Sequence, residues 1–344
     1  MRIAYVLPLK WQDSAGDAEM TAYLESLPEW ADVTVVDGSP DPVFAQHHRL
    51  WRQRVQHLRP DGPATPNGKV QGVLTGLRHA RHERVVIADD DVRYTPESLA
   101  LVAELLEQAE LVRPQNYYEP LPWHARWDTA RSLLNRAFAS DYPGTLAVRR
   151  SVLLQAQGYR GDVLFENLEL IRTVQAAGGR EITADGVYVR RLPPTLRHFA
   201  GQRVRQAYDS QTQPVRLTVE LLLLPLLLVL VRRPVACSAL AATAVVLAEA
   251  GRQRAGGTQV FDTCAALWAP LWLLERAVAS WIALAWRCAG GVPYSGRRLR
   301  TAASSLAALR RRLSHLNLGE PNDEQGTDGD RDLPQRAVAG ARRL

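Results

Sequence analysis

The sequence predicts an α/β chain: a mostly parallel sheet covered by helices on both faces, followed by membrane-seeking helices. Two observations carry this. Over roughly the first 210 residues, short apolar runs that read as strands alternate with segments whose apolar residues recur at helical spacing. Near Gln213 the composition turns sharply apolar, and Leu221 to Val231 holds no polar residue.

The elements follow in order. Ile3 to Leu7 reads as a buried strand: it is too short for the apolar region of a secretory leader, and Lys10 and Asp13 follow it. The amino-terminal half is therefore expected in the cytoplasm. Asp17 to Leu27 is helical, with Met20, Tyr23, Leu24 and Leu27 on one face. Val33 to Val36 is a second strand, closed by the turn cluster Asp37-Gly38-Ser39-Pro40. Lys69 to Ala80 is helical, with Val70, Val73, Leu74 and Leu77 at i, i+3, i+4 and i+7. Arg84 to Ala88 is a third strand. Thr95-Pro96-Glu97 starts a helix running to about Gln108: Thr caps it, Pro takes the first turn, and the acid meets the positive end of the dipole. Leu111 and Val112 form a further strand. Ligands of such sheets bind at the carboxyl ends of strands.

In the carboxy-terminal part, Leu217 to Val231 would span roughly 22 Å as a helix, short of a hydrocarbon core of about 30 Å. Arg216, Arg232 and Arg233 can snorkel at its ends. Pro234 to Ala250 is a second apolar stretch. Cys264 to Trp286 is a third, with Glu275 and Arg276 in its middle and Trp268, Trp272, Trp281 and Trp286 along it. Charges are costly at the bilayer centre and tryptophans favour its interface. The expectation is a hairpin of two membrane helices followed by an interfacial segment broken near Pro270. That leaves Arg297, Arg298, Arg300, Arg310, Arg311 and Arg312 on the cytoplasmic side. The alternative is three buried helices of a soluble domain. The polar stretch from Asn317 onward reads as disordered. The expected division is 1–212, a cytoplasmic domain; 213–300, membrane helices and interfacial segment; and 301–344, a basic then disordered tail.

Composition narrows the function. The 344 residues are 46% apolar and 23% charged, the balance of a folding chain. Net charge is +6, and Lys10 and Lys69 are the only lysines. The arginines cluster beside apolar segments rather than on an aromatic-interleaved surface, which argues against nucleic-acid binding and suits anionic lipid. Cys237, Cys264 and Cys288 form no CxxC pair, against a disulfide scaffold or a structural zinc site.

The strongest motif is Val85-Val86-Ile87-Ala88-Asp89-Asp90-Asp91. Three adjacent carboxylates at the end of a buried strand repel one another unless a cation joins them. Alternation sends Asp89 and Asp91 to one side and Asp90 to the other. Such oxygen ligands suit Mg²⁺ or Mn²⁺; the alternative is an acidic turn before a helix. Asp37 ends an earlier strand, and Lys69 stands in Asn67-Gly68-Lys69 at a helix start, where backbone N–H groups favour anions.

Together these motifs resemble the family 2 glycosyltransferases, and the carboxylate strand with Val92-Arg93 looks most like the ceramide glucosyltransferase branch. The resemblance covers residues 1 to 300. It implies an A-type glycosyltransferase fold, a Rossmann-like mixed sheet with helices on both faces, and a nucleotide-sugar donor. It assigns Asp37 to the nucleotide base, Asp89 and Asp91 to a D-x-D motif for metal and sugar-nucleotide phosphates with Asp90 beside them, and Lys69 to a family lysine position.

Further matches follow. Tyr142-Pro143-Gly144-Thr145-Leu146-Ala147-Val148-Arg149-Arg150 resembles the strand lining the acceptor pocket. Gly161 to Leu170 resembles the segment with the family's catalytic Glu-Asp pair, but Asn167 replaces the second acid and cannot take a proton as a carboxylate does. Glu166 is the candidate base, with Asp162 and Glu169 in reserve; the alternative is an amphipathic helix burying Leu164, Leu168 and Ile171. Gln202-Arg203-Val204-Arg205-Gln206 resembles the Q-x-x-R-W signature, with Gln206 for Trp. Gln202 and Arg205 share a helix face, and Arg205 would meet the diphosphate. Tyr208 is a candidate for the missing aromatic surface, and His198 for a metal ligand. The Arg-rich helix is equally a juxtamembrane lipid-binding cluster. His79 and His82 read as solvated residues on one helix face. Gly290 to Arg298 resembles a short segment after the membrane part of such enzymes.

The sequence thus predicts a membrane-associated inverting glycosyltransferase moving a sugar, from a UDP-sugar by expectation, to a lipid or lipid-linked hydroxyl. The alternatives are a non-catalytic membrane protein retaining the fold, favoured by Asn167 and Gln206, and a polysaccharide-extending synthase, for which the apolar stretches are too few.

Overall fold

A computed structural model describes residues 3–294 and 296–318. The polar stretch from Asn317 lies almost wholly outside the described residues. In chain order the elements are β1 (Ile3–Leu9), α1 (Asp17–Ser26), β2 (Ala31–Asp37), α2 (Asp41–Trp51), β3 (Gln56–Leu58), α3 (Gly68–His79), β4 (Arg84–Ala88), β5 (Val92–Arg93), α4 (Pro96–Leu105), β6 (Leu111–Tyr118) and α5 (Trp123–Phe138). There follow β7 (Thr145–Arg149), α6 (Arg150–Gln155), α7 (Glu166–Ala176), β8 (Glu181–Arg191), α8 (Leu196–Asp209), α9 (Pro214–Leu230), α10 (Pro234–Gln253), α11 (Ala269–Cys288), β9 (Val292–Tyr294), β10 (Arg297–Leu299) and α12 (Leu306–Leu318).

One eight-stranded sheet has the order β3-β2-β1-β4-β7-β6-β8-β5. Its first four strands are parallel, as alternation of strands and helices requires. Beyond β4 the sheet is mixed rather than mostly parallel: β7 runs antiparallel to β4 and β6, and β5 antiparallel to β8. β1 is buried along its whole length, which explains its unbroken apolar run. One apolar cluster, with Met20, Leu24, Leu99 and Val102, covers one face; another, with Val70, Val73, Leu77 and Leu170, covers the other.

Local chemistry places the starts. The Asn67 side chain accepts from Lys69 N–H at 3.2 Å and opens α3. Thr95 and Ser98 form a reciprocal capping box on α4. Gly76 lets α3 lie close on β1, since a Cβ there would stand 2.3 Å from Val6. α3 ends at His79 because Ala80 is extended, so His82 lies beyond the helix and reaches Asp32 at 2.7 Å, while His79 faces Asp61. The two do not share a helix face.

The carboxy-terminal helices pack directly on the amino-terminal half: α10 on α5, and α11 on α8 and α9. Gly251 makes the first contact possible, since a Cβ would stand 1.9 Å from the Leu133 carbonyl oxygen. By length and composition, Pro234–Gln259 and Ala265–Cys288 could cross a membrane. α9 has only 17 residues, so the two candidate spans differ from the expected hairpin. Pro270 starts α11 rather than breaking it, because its missing N–H costs nothing in the first turn. Glu275 turns to Arg203 at 3.6 Å, and Arg276 is fully buried.

Candidate functional site

The site lies at the carboxyl ends of β4 and β1, where α3, α7, β8 and α8 converge. Just past β4, Asp89 and Asp91 turn to the same side and meet one arginine. Arg191, at the end of β8, sets Nη2 3.3 Å from Asp89 Oδ2 and Nε 2.9 Å from Asp91 Oδ2. Asp90 turns the other way and accepts from the Trp11 indole at 2.5 Å. On the second side of Asp89, Lys69 Nζ stands 2.5 Å from Oδ1. The same ammonium lies 2.7 Å from Glu166 Oε1, at the first residue of α7. Burial pulls the Lys69 pKa down, but Asp89 and Glu166 carry it above the usual lysine range.

Burial pushes the Asp91 carboxyl up to about 6; Arg191 opposes this, and Asp89 and Asp90 push it further. Asp91 Oδ1 is buried with no hydrogen-bond partner. A hard divalent cation fits such an oxygen, beside a second carboxylate. His198 lines the cavity beside Gln202, and partial desolvation there, with Arg191 and Arg205 nearby, lowers its pKa, which favours the neutral imidazole a metal needs.

Asp37 is fully buried. Oδ1 accepts from Ser39 N–H at 2.8 Å, and Oδ2 faces His47 Nδ1 at 2.6 Å and His57 Nε2 at 3.2 Å. Burial alone would raise its pKa; the bonds from His57, Ser39 and His47 hold it well below the carboxylate range. Both oxygens of Asp37 thus have partners within the protein. The ligand atoms of Asp37, His47 and His57 lie within 4.8 Å of one another, a set that could hold a metal ion.

Around Glu166 the alternatives separate. Asp162 pairs with Arg160 at 2.5 Å, half exposed, and does not touch Lys69. Glu169 is buried and accepts from Ser304 N–H at 2.5 Å, which ties α7 to the segment before α12. Only Glu166 meets Lys69. Asn167 donates to the Pro143 carbonyl at 3.0 Å and accepts from Lys69 at 3.4 Å; an aspartate could not make the first bond. That bond holds the loop before Gly144, where a Cβ would stand 2.7 Å from Asp89 Oδ2.

α8 is anchored by Arg203, which makes two bonds to buried Asp128 at 2.8 and 3.0 Å. Gln202 lines the cavity beside Asp91. Arg205 instead donates to the Pro293 carbonyl at 3.3 Å and lies over Tyr294, whose hydroxyl reaches Asn67 at 3.3 Å. Tyr208 supplies no aromatic surface: it is fully buried and donates to the Arg300 carbonyl.

A cavity of about 150 Å³ runs from Asp91 and Arg191, past Tyr142 and Phe165, to Arg216 and Arg276 at α9 and α11. Sequence reasoning missed Arg191, Arg131 and Tyr118 here. Their signal was weak: β8 alternates poorly, and only Arg190-Arg191 before Leu192-Pro193-Pro194 marks its end.

The family model described as "Glycosyltransferase like family 2" matches residues 33–209, just over half the chain. No curated protein matches the chain. Among solved structures, the mannosyltransferase PcManGT from Pyrobaculum calidifontis, in complex with GDP-Man and Mn²⁺, is 20% identical with a TM-score of 0.51, covering 81% of this chain and 87% of that one. TarS 1–349 of S. aureus in complex with UDP is 15% identical (TM-score 0.41; 59% and 64% covered). The glucosyl-3-phosphoglycerate synthase of Mycobacterium tuberculosis with Mn²⁺, UDP and phosphoglyceric acid is 19% identical (TM-score 0.39; 58% and 73%). At these identities the likeness is one of fold. With its mixed A-type sheet and the match over residues 33–209, the chain belongs to the glycosyltransferase-like family 2.

Proposed function

We propose that the protein is a membrane-associated, metal-dependent inverting hexosyltransferase that moves a sugar from a nucleotide-sugar donor to a lipid or lipid-linked hydroxyl. The observation that carries this reading is the Lys69 ammonium joining Asp89 to Glu166, beside an Asp91 oxygen with no hydrogen-bond partner and a cavity that reaches the apolar helices. UDP-sugars and GDP-sugars are both candidate donors, since the related folds are seen with each; the ceramide glucosyltransferase resemblance favours UDP.

Asp89 and Asp91, with His198 at the mouth, would hold Mg²⁺ or Mn²⁺, whose charge would offset that of the donor diphosphate. Lys69 and Arg191 hold the two carboxylates in place and add positive charge at the same point. Along α8, Arg205 adds a further positive charge and Gln202 a neutral amide at the cavity wall. Asp37 organises the base-binding edge from beneath, through His47, His57 and Ser39. Glu166 takes the acceptor hydroxyl proton; the hydroxyl oxygen bonds to the anomeric carbon, and the nucleoside diphosphate leaves with the bonding pair on the opposite face.

Exposed Val215, Val219, Leu222, Leu226, Val235, Val246, Leu271 and Ile282 on α9, α10 and α11 support membrane contact. A second reading, a non-catalytic nucleotide-binding scaffold, is favoured by Asn167 at the place of the second acid. Incubation of the full chain with radiolabelled nucleotide sugars and membrane lipid extract tests both. Label in the lipid phase, lost in Glu166→Gln, supports transfer; neither transfer nor donor hydrolysis overturns it.

A further inference from the structure

The cavity wall holds a guanidinium that has no hydrogen-bond acceptor among the described residues and rests against the Trp272 ring, 5.0 Å from its centroid. Arg276 on α11 is fully buried, lines the cavity, and has Nε, Nη1 and Nη2 all without an acceptor. Its neighbours explain why. Glu220 on α9 is taken by Arg216 at 2.9 Å and Ser280 at 3.1 Å. Glu275, next in the chain, turns to Arg203. Asp209 faces the same cavity with Oδ1 unpartnered and forms no ion pair with Arg276; burial and Glu166 push its carboxyl up to about 8 against the pull of Arg276. Leaving a guanidinium buried and unbonded is costly. A cation in an apolar helix that faces inward onto a cavity marks a ligand path. A phosphate presents the planar pair of oxygens that a guanidinium fork fits.

We propose that Arg276 binds the phosphodiester of an anionic glycerophospholipid whose headgroup carries a free hydroxyl, and so selects the acceptor. This rests on the transferase reading above. Arg276 lines the same cavity as Asp91 and as Phe165, the residue before Glu166, so a headgroup held by its phosphate would share that cavity with the metal end of the site. The sugar's anomeric carbon bonds to that hydroxyl oxygen, its bond to the diphosphate breaks, and the proton passes to Glu166. The lipid phosphate itself forms and breaks no bond. The exposed apolar faces of α9 and α11 leave the acyl chains in the bilayer.

The test titrates the full chain in neutral detergent with dihexanoylphosphatidylglycerol, with dihexanoylglycerol and with inorganic phosphate. The expected result is that the phospholipid binds about tenfold more tightly than the neutral diglyceride, that Arg276→Gln removes the difference, and that Arg276→Lys keeps part of it. UDP–Mn²⁺ affinity stays the same in Arg276→Gln, since the residue lies at the acceptor end. Equal binding of the two lipids overturns the proposal, as does an unchanged preference in Arg276→Gln. Inorganic phosphate binding as tightly as the phospholipid would assign the site to free phosphate and overturn the lipid source. If Arg276→Gln does not fold, the wild-type comparison and Arg276→Lys decide. Loss of UDP binding by the wild type would instead sink the transferase reading and leave the lipid titration standing.

Discussion

The ammonium of Lys69 lies 2.7 Å from Glu166 Oε1, across 97 positions of sequence. It is also the ammonium that holds Asp89, so the residue proposed as base and the residue proposed as metal ligand share one cation. Lys69 therefore fixes the position of Glu166 relative to the metal end of the site.

Glu166→Gln is expected to lower sugar transfer by about 10²–10⁴-fold while donor affinity stays within about twofold, because the amide keeps a bond to Lys69 but takes no proton. Nucleotide release with and without acceptor, beside a UDP titration, measures both. Equal transfer by the variant would remove Glu166 from the chemistry.

The glycine before β7 gives a second prediction. A Cβ at Gly144 would meet Asp89 Oδ2 at 2.7 Å and the Arg191 guanidinium at 2.9 Å. Gly144→Ala is expected to push the two apart and weaken Mn²⁺ binding by about 10–100-fold, the range for a displaced supporting partner. Manganese titration followed by electron paramagnetic resonance reads it; wild-type affinity would mean that the Asp89–Arg191 contact does not shape the metal site.

Arg203→Met leaves Asp128 buried without its two bonds, at a cost of about 3–5 kcal/mol. Denaturant unfolding should show that loss, and Arg203→Met with Asp128→Asn should recover much of it. No change in the single variant would mean that α8 is held by its apolar contacts alone.

Asp209 predicts a pH dependence. Its folded pKa of about 8 lies above the unfolded value of about 3.9, so between those values the folded chain carries the extra proton. Its contribution is whole below about pH 4 and is lost as pH rises through 8, by up to about 1.4 kcal/mol per pH unit. Asp209→Asn should therefore melt above the wild type at pH 8.5 and gain less at pH 5. A pH-independent difference would contradict the raised pKa.

What was legible in the sequence was local. Asp89 and Asp91 meet the same arginine while Asp90 turns away, the division expected from strand alternation, although the three lie in the turn after β4 and not on the strand. Asn67 and Lys69 were legible as a helix start. What was hidden was pairing at long range. Arg191 reaches Asp89 across 102 positions, on a strand whose pattern is broken by Asp185 and Gly186. The burial of Asp37 depends on His47 and His57, which arrive from α2 and β3 and carry no motif. Glu169, held in reserve behind Glu166, is buried and accepts from Ser304 N–H, a long-range partner that no local pattern marks.

The most direct measurement is calorimetric titration of UDP into the full chain, with and without Mn²⁺, for the wild type and for Asp91→Asn. The account predicts that Mn²⁺ tightens UDP binding by about tenfold or more in the wild type and has no effect in Asp91→Asn. UDP binding that ignores Mn²⁺ in the wild type, or that Mn²⁺ strengthens equally in the variant, would contradict it.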